Sequence, residues 1–152
     1  FTSPDNGFSN HAHLVSSPFE APFVNQGMSF ASNGTQYIGF DTSVLVMERI
    51  DGGTFSLSIF DVAESFLDGG IVVAPAKKVR VDGSLAGGGT VSAVFDLDGI
   101  DDGTGPLADF QTFSLPGTFN NLIAVTYTGL DPNSSSGFGV ISIDNVNVTP
   151  EP

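Results

Sequence analysis

Short runs of β-branched and aromatic residues, each closed within a few positions by Gly, Asn-Gly or Asp-Gly, recur from one end of this chain to the other. That punctuation sets the fold class. A helix needs about ten or more residues of period 3.6, whereas a strand needs only about four to eight of period two. The segment TFSLSIFDVAE (54–64) sets Phe55, Leu57, Ile59 and Phe60 roughly in alternation with Ser56 and Ser58, the mark of a half-buried strand. In KKVRVDGSL (77–85), Val79 and Val81 face one way while Lys78, Arg80 and Asp82 face the other.

Read in this way, the chain predicts edge strands at 13–15 and 18–24, where Pro18 and Pro22 bar a central position. A hairpin of 28–32 and 35–40 is expected around Asn33-Gly34, a dipeptide suited to the positive φ angles of a type I′ turn. Further strands follow at 43–50, 54–64, 71–74 and 77–85, and Gly87-Gly88-Gly89 turns the chain into 90–99. After an Asp/Gly-rich loop over 98–109 come 110–116 and 121–129, then the loop 131–137 and a last strand at 138–148. Eight to ten short strands without a long helical period predict an all-β fold, a two-sheet antiparallel sandwich of jelly-roll type. No internal repeat is visible. Residues 1–10 read as a loose lead-in, 11–149 as one domain, and 150–152 as the start of a separate C-terminal segment.

Charge removes whole classes of partner. Four basic residues stand against 17 acidic ones, a formal net charge of −13, which repels phosphate backbones and anionic lipid. Nucleic acid is therefore not an expected partner. No apolar run approaches the roughly 18 residues of a membrane span, so direct membrane insertion is not expected. Without Cys there is no disulfide framework, thiol nucleophile or thiolate metal site.

Catalytic signatures are lacking. There is no G-x-S-x-G elbow, and His11 and His13, the two histidines, both fall in the N-terminal region, where they cannot complete a triad or a metal site. GSLAGGGT has the glycines of a phosphate loop but no following Lys. A carboxylate pair for glycoside hydrolysis exists on paper in any chain with 17 acids, but Trp is absent. No enzyme activity is expected. The densest acidic run is Asp96-Leu-Asp98-Gly-Ile-Asp101-Asp102-Gly-Thr-Gly, and Asp98, Asp101, Asp102 and Asp109 are candidate oxygen ligands for Ca²⁺. It is no EF-hand: opened at Asp98, the template places Asp102, Gly103 and Asp109 at positions 5, 6 and 12 but Ile100 at position 3. An exposed turn, in which Asp and Gly serve backbone conformation, explains the same residues. For sugar recognition the candidate contacts are Tyr37, Asp102 and Tyr127, with Phe40, Phe66 and Phe138 near expected turns; the other phenylalanines fit strand cores.

FDVAE, GGGTVSAVFDLDG, DFQTFSLPGTFNNLIAVTYTG and GFGVISIDNVNVTPEP together resemble the exported PEP-CTERM proteins of Gram-negative bacteria, over roughly residues 54–152. Ile143-Asp144-Asn145-Val146 and Pro150-Glu151-Pro152 stand in that family's order. The resemblance implies export to the bacterial cell surface or medium, with a signal peptide before the domain and a hydrophobic sorting helix with a basic tail after it. Residues 1–152 hold neither, and 150–152 are then the start of the sorting segment. A looser resemblance is to jelly-roll, galactose-binding-like carbohydrate-binding modules. It rests on Phe19-Glu20 and on Asp144 in the last strand, and it implies a structural Ca²⁺ held by Glu20 and Asp144, with first and last strands side by side. Together these readings give a non-catalytic, calcium-stabilised surface module that binds glycan or exopolysaccharide. The alternatives are a matrix protein whose partners are other copies of itself and, least favoured, a glycan hydrolase.

Overall fold

The computed structural model describes side chains for residues 44–49, 51–64, 75–99, 110–133 and 137–152, and backbone alone for 8–9, 23–24 and 38–40. Ten strands lie among the described residues: β1 (Phe8–Ser9), β2 (Phe23–Val24), β3 (Ile38–Phe40), β4 (Leu45–Arg49), β5 (Phe55–Glu64), β6 (Lys78–Leu85), β7 (Thr90–Asp96), β8 (Gln111–Ser114), β9 (Leu122–Leu130) and β10 (Ile141–Pro150). All strand-to-strand pairings are antiparallel. The strands expected at 13–15, 28–32 and 71–74, and the Asn33-Gly34 turn, lie outside the described residues.

The pairings form one branched, curled sheet. β9 is flanked by β4 and β6, with β1 beyond β4 and β7 beyond β6. β5 is flanked by β8 and β10, with β3 and then β2 beyond β10. A single pair, Phe55–Leu122, joins β5 to β9. Among the described strands β1 borders β4, and β2, the described part of the expected 18–24 strand, is separated from β10 by β3. Residues 8–9 show no periodicity because two residues are too few to have one, yet they pair with Arg49 and Glu48. At the other end β10 runs through Pro150, which pairs with Phe55. Proline is tolerated there because it ends the strand.

Curling brings the inward faces into one core. Leu45 and Met47 of β4, Phe55, Leu57, Phe60 and Val62 of β5, Val79 and Val81 of β6, Leu122, Val125 and Tyr127 of β9, and Ile141 and Ile143 of β10 belong to one buried cluster. Phe60 is central: its ring lies 5.7 Å from Phe95, 6.0 Å from Phe113 and 5.5 Å from Tyr127. Phe95 and Phe113 are themselves 4.8 Å apart, so rings from β7 and β8 meet although those strands share no ladder. Ile59 departs from the expected alternation. It is 39% exposed, because the register between β5 and β10 slips near it and turns Phe60 inward instead.

The turns follow their residues. The β6–β7 hairpin is closed by Leu85 N–H to Gly89 O and Gly88 N–H to Leu85 O, with Gly88 and Gly89 both at φ +88°. Only glycine takes that conformation without strain. The β4–β5 turn is fastened by Arg49, whose guanidinium grips Asp51 through Nε (2.9 Å) and Nη2 (2.5 Å) while Nη1 donates to Thr54 O. The hydrogen bonding of Arg49 to Asp51 is the main reason the Asp51 carboxyl sits below its usual range. No helix among the described residues is long and apolar enough to cross a membrane.

Candidate functional site

Two places bring carboxylates to positions where they need compensation. The first is on β5 and β10, on the side of the sheet away from the core. Alternation that turns Phe60, Val62, Ile141 and Ile143 inward turns Asp61, Ala63, Ser142 and Asp144 outward. Asp61 is directly opposite Asp144 in the ladder, and Ala63 is opposite Ser142. Although it faces outward, Asp144 is only 5% exposed and Ser142 is fully buried. Like charges in directly opposed positions destabilise a pair.

The chain offsets part of that cost locally. Asn145 takes a left-handed conformation (φ 47°) at a bulge in β10, and its backbone N–H donates to Asp144 Oδ1 at 2.8 Å. Its side-chain Nδ2 donates to Asp61 Oδ2 at 2.8 Å, while Thr112 Oγ1 donates to Asp61 Oδ1 at 2.6 Å. The Ile143-Asp144-Asn145-Val146 stretch is thus a bulge that holds two carboxylates side by side. Asparagine suits it, being among the few residues that accept positive φ readily.

The second place is the sheet end where β5 finishes and β7 leads into the acidic loop. Glu64, two positions beyond Val62, points inward and is 2% exposed. Its Oε1 accepts the Gly99 N–H at 2.7 Å, and its Oε2 is buried with no hydrogen-bond partner among the described residues. Burial pushes its pKa up, against the Gly99 bond, which lowers it; the neighbouring Asp98 adds to the rise, and Lys77 pulls weakly the other way. Across the β5–β8 pair, Gln111 is opposite Val62, on the inward side, and its Nε2 is another buried group without a partner. Other cations are engaged elsewhere: Arg49 with Asp51, Lys78 with Asp96, and Arg80 with Asp82 at 2.8 Å.

The site residues expected from sequence fare unevenly. Asp98 is exposed and begins the loop beside Glu64, whereas Asp101, Asp102, Asp109, Glu20 and Tyr37 lie outside the described residues. Asp144 is buried, and Asp61 and Asn145 gather around it. Tyr127 is corrected: it is fully buried against Phe60, its hydroxyl without a partner, so it offers no platform to a sugar. Phe138 is half-buried and bridges to Leu130. Among the described residues no three His, Asp or Glu side chains converge on one metal position. Sequence reasoning missed Glu64 and Asp61. Glu64 was accessible to it, since period two from Phe60 and Val62 leads to a core-facing carboxylate; Asp61 required knowledge of the β5–β10 pairing.

No family model matches the chain, and no curated protein sequence matches it. Among solved structures, it is similar to the crystal structure of a DUF4465 family protein from Bacteroides caccae. The two share 15% sequence identity and a TM-score of 0.51, over 95% of this chain and 72% of the other. At that identity the likeness shows the fold alone.

Proposed function

We propose that this chain is a non-catalytic, calcium-stabilised module that works outside the bacterial cell and binds glycan or exopolysaccharide, on a two-sheet, jelly-roll-like sandwich. The sandwich reading is supported by the pairing pattern, in which two sets of five described strands share one ladder pair, Phe55–Leu122. The observation that carries the calcium reading is Asp144, a 5%-exposed carboxylate set opposite Asp61. A hard divalent cation, which takes oxygen ligands in irregular geometry, offsets that paired charge. Export is supported by the resemblance of 143–146 and 150–152 to the PEP-CTERM pattern. Glycan binding is the function that an acidic surface of Asp, Asn and Gly loops serves best once a cation is present to organise sugar hydroxyls.

The experiment is retention on immobilised exopolysaccharides with Ca²⁺ and with chelator. Saturable, calcium-dependent retention that is lost in Asp144→Asn is the expected result. Absence of retention on every polysaccharide would overturn the glycan reading. A second reading, self-association, is favoured by β7, which pairs with β6 alone among the described strands and carries Val94 at 52% exposure. Light scattering that rises with protein concentration would select it.

A further inference from the structure

We infer that Glu64 and Asp98 form a divalent-cation site at the end of the sheet where β5 stops and β7 gives way to the acidic loop. The inference goes beyond the reading above: it stands whether or not a glycan binds, and whether or not Asp144 holds a cation.

The acidic run around Asp98 would not by itself make a site, since such runs serve as exposed turns. The independent observation comes from another strand. Glu64 approaches Asp98 from the core side, 98% removed from solvent, with one oxygen committed to Gly99 N–H and the other satisfied by nothing. A buried ionised oxygen without a partner is costly. Four remedies exist: a hydrogen bond from water or a neutral donor, an ion pair, a proton, or a bound cation. The ion pair is not made. Lys77 is exposed and forms no salt bridge among the described residues, and the other three basic residues are taken up by Asp51, Asp96 and Asp82.

Geometry favours the cation over the proton in two respects. Asp98, next to the residue whose amide grips Glu64, supplies a second carboxylate on the solvent side, so a cation would sit between a buried and an exposed ligand. Gln111 Nε2, on the same inward face across β5–β8, is a second orphan polar group, which the oxygen of a cation-bound water would accept from. Two carboxylates completed by main-chain oxygens and water describe a weak calcium site, with affinity in the range of extracellular modules, about 10⁻⁴–10⁻³ M.

The Gly99 amide is a built-in reporter, because its N–H bonds directly to Glu64. In ¹⁵N-resolved spectra of chelator-treated protein, addition of Ca²⁺ is expected to move the Gly99 resonance saturably and to raise the melting temperature. Glu64→Gln keeps the acceptor for Gly99 and the side-chain shape, so it should fold; it should lose the Gly99 response. Asp98→Asn, at an exposed position, should move the titration midpoint to higher Ca²⁺, and it keeps the test open should Glu64→Gln fail to fold. Asp144→Asn should leave the Gly99 response intact, so failure here and failure of the Asp144 reading are told apart. A Gly99 resonance that ignores Ca²⁺, or follows pH alone, would overturn the inference. So would a Gly99 response to Ca²⁺ that survives Glu64→Gln.

Discussion

Replacing Glu151 with alanine tests whether the terminal Pro-Glu-Pro is part of the folded domain. Its Oε1 accepts from Ser56 Oγ at the start of β5, and its Oε2 accepts from the Asn121 backbone N–H at 3.1 Å, just before β9. Asn121 is itself held in a left-handed conformation, φ 52°. The main-chain bond from Glu151 N–H to Thr54 O, 2.9 Å, survives the substitution. Hydrogen bonds to a charged acceptor contribute about 1.5–3 kcal/mol each when well buried. Here Ser56 and Glu151 are half-buried and Asn121 is exposed, so water competes for both bonds. A combined loss of about 1.5–3 kcal/mol is the reasonable total. For a chain of this size each kcal/mol moves the melting temperature by about 2–4 °C, which predicts a fall of roughly 3–12 °C. Urea denaturation of the wild type, Glu151→Ala, Ser56→Ala and the double variant would isolate the pair, with an expected coupling of about 0.5–1.5 kcal/mol. Glu151→Ala within about 0.5 kcal/mol of wild type would mean that the side chain does not clasp the domain.

Other expectations follow from packing and titration. A Cβ at Gly129 would lie 2.3 Å from Gly139 O, a main-chain atom, whereas one at Gly83 would meet the movable ends of Leu122 and Val91 at 2.7 and 2.9 Å. Gly129→Ala should therefore cost more than Gly83→Ala in urea midpoints, about 3 kcal/mol or above against 1–2; the reverse order would contradict the close approach of β9 to 137–140. Phe60→Ala, which empties the centre of the four-ring cluster, should cost about 3–5 kcal/mol by the same measurement. Burial raises the Glu64 pKa, so the folded state holds its proton more tightly than the unfolded chain does. In metal-free protein its contribution is thus fully favourable below the unfolded value of about 4.5 and is lost as pH rises through the folded value. The melting-temperature difference between wild type and Glu64→Gln should change across that window, and a pH-independent difference would refute the assignment.

The long strands were legible because their punctuation is local. β5 to β10 fall within a few residues of the expected segments, since Gly-Gly, Asp-Gly and Gly87-Gly88-Gly89 mark their ends. What the sequence could not disclose is pairing between distant strands. Nothing in 54–64 or 138–148 announces that β10 inserts between β5 and β3, and the opposition of Asp61 to Asp144 depends wholly on it. Local pattern also misled where the ladder slips. Ile59 looks core-like by hydropathy, but the register slip between the Ile59–Asn147 and Leu57–Val148 pairs gives its inward place to Phe60. Tyr127 shows the limit of residue type as a guide. A tyrosine suits a sugar platform, yet its position in the alternation with Val125 puts it in the core. Glu64 was legible by contrast, since period two from Phe60 and Val62 carries a carboxylate into the core at the end of β5.

The most direct test of the central claim, that this acidic sheet is completed by bound calcium, is a crystal structure at saturating Ca²⁺ with anomalous difference maps. Anomalous peaks about 2.3–2.6 Å from carboxylate oxygens of Asp144 and of Glu64 with Asp98 are the expected result. Well-ordered Asp144, Glu64 and Asp98 side chains without an anomalous peak, the oxygens satisfied by water or protons, would contradict it.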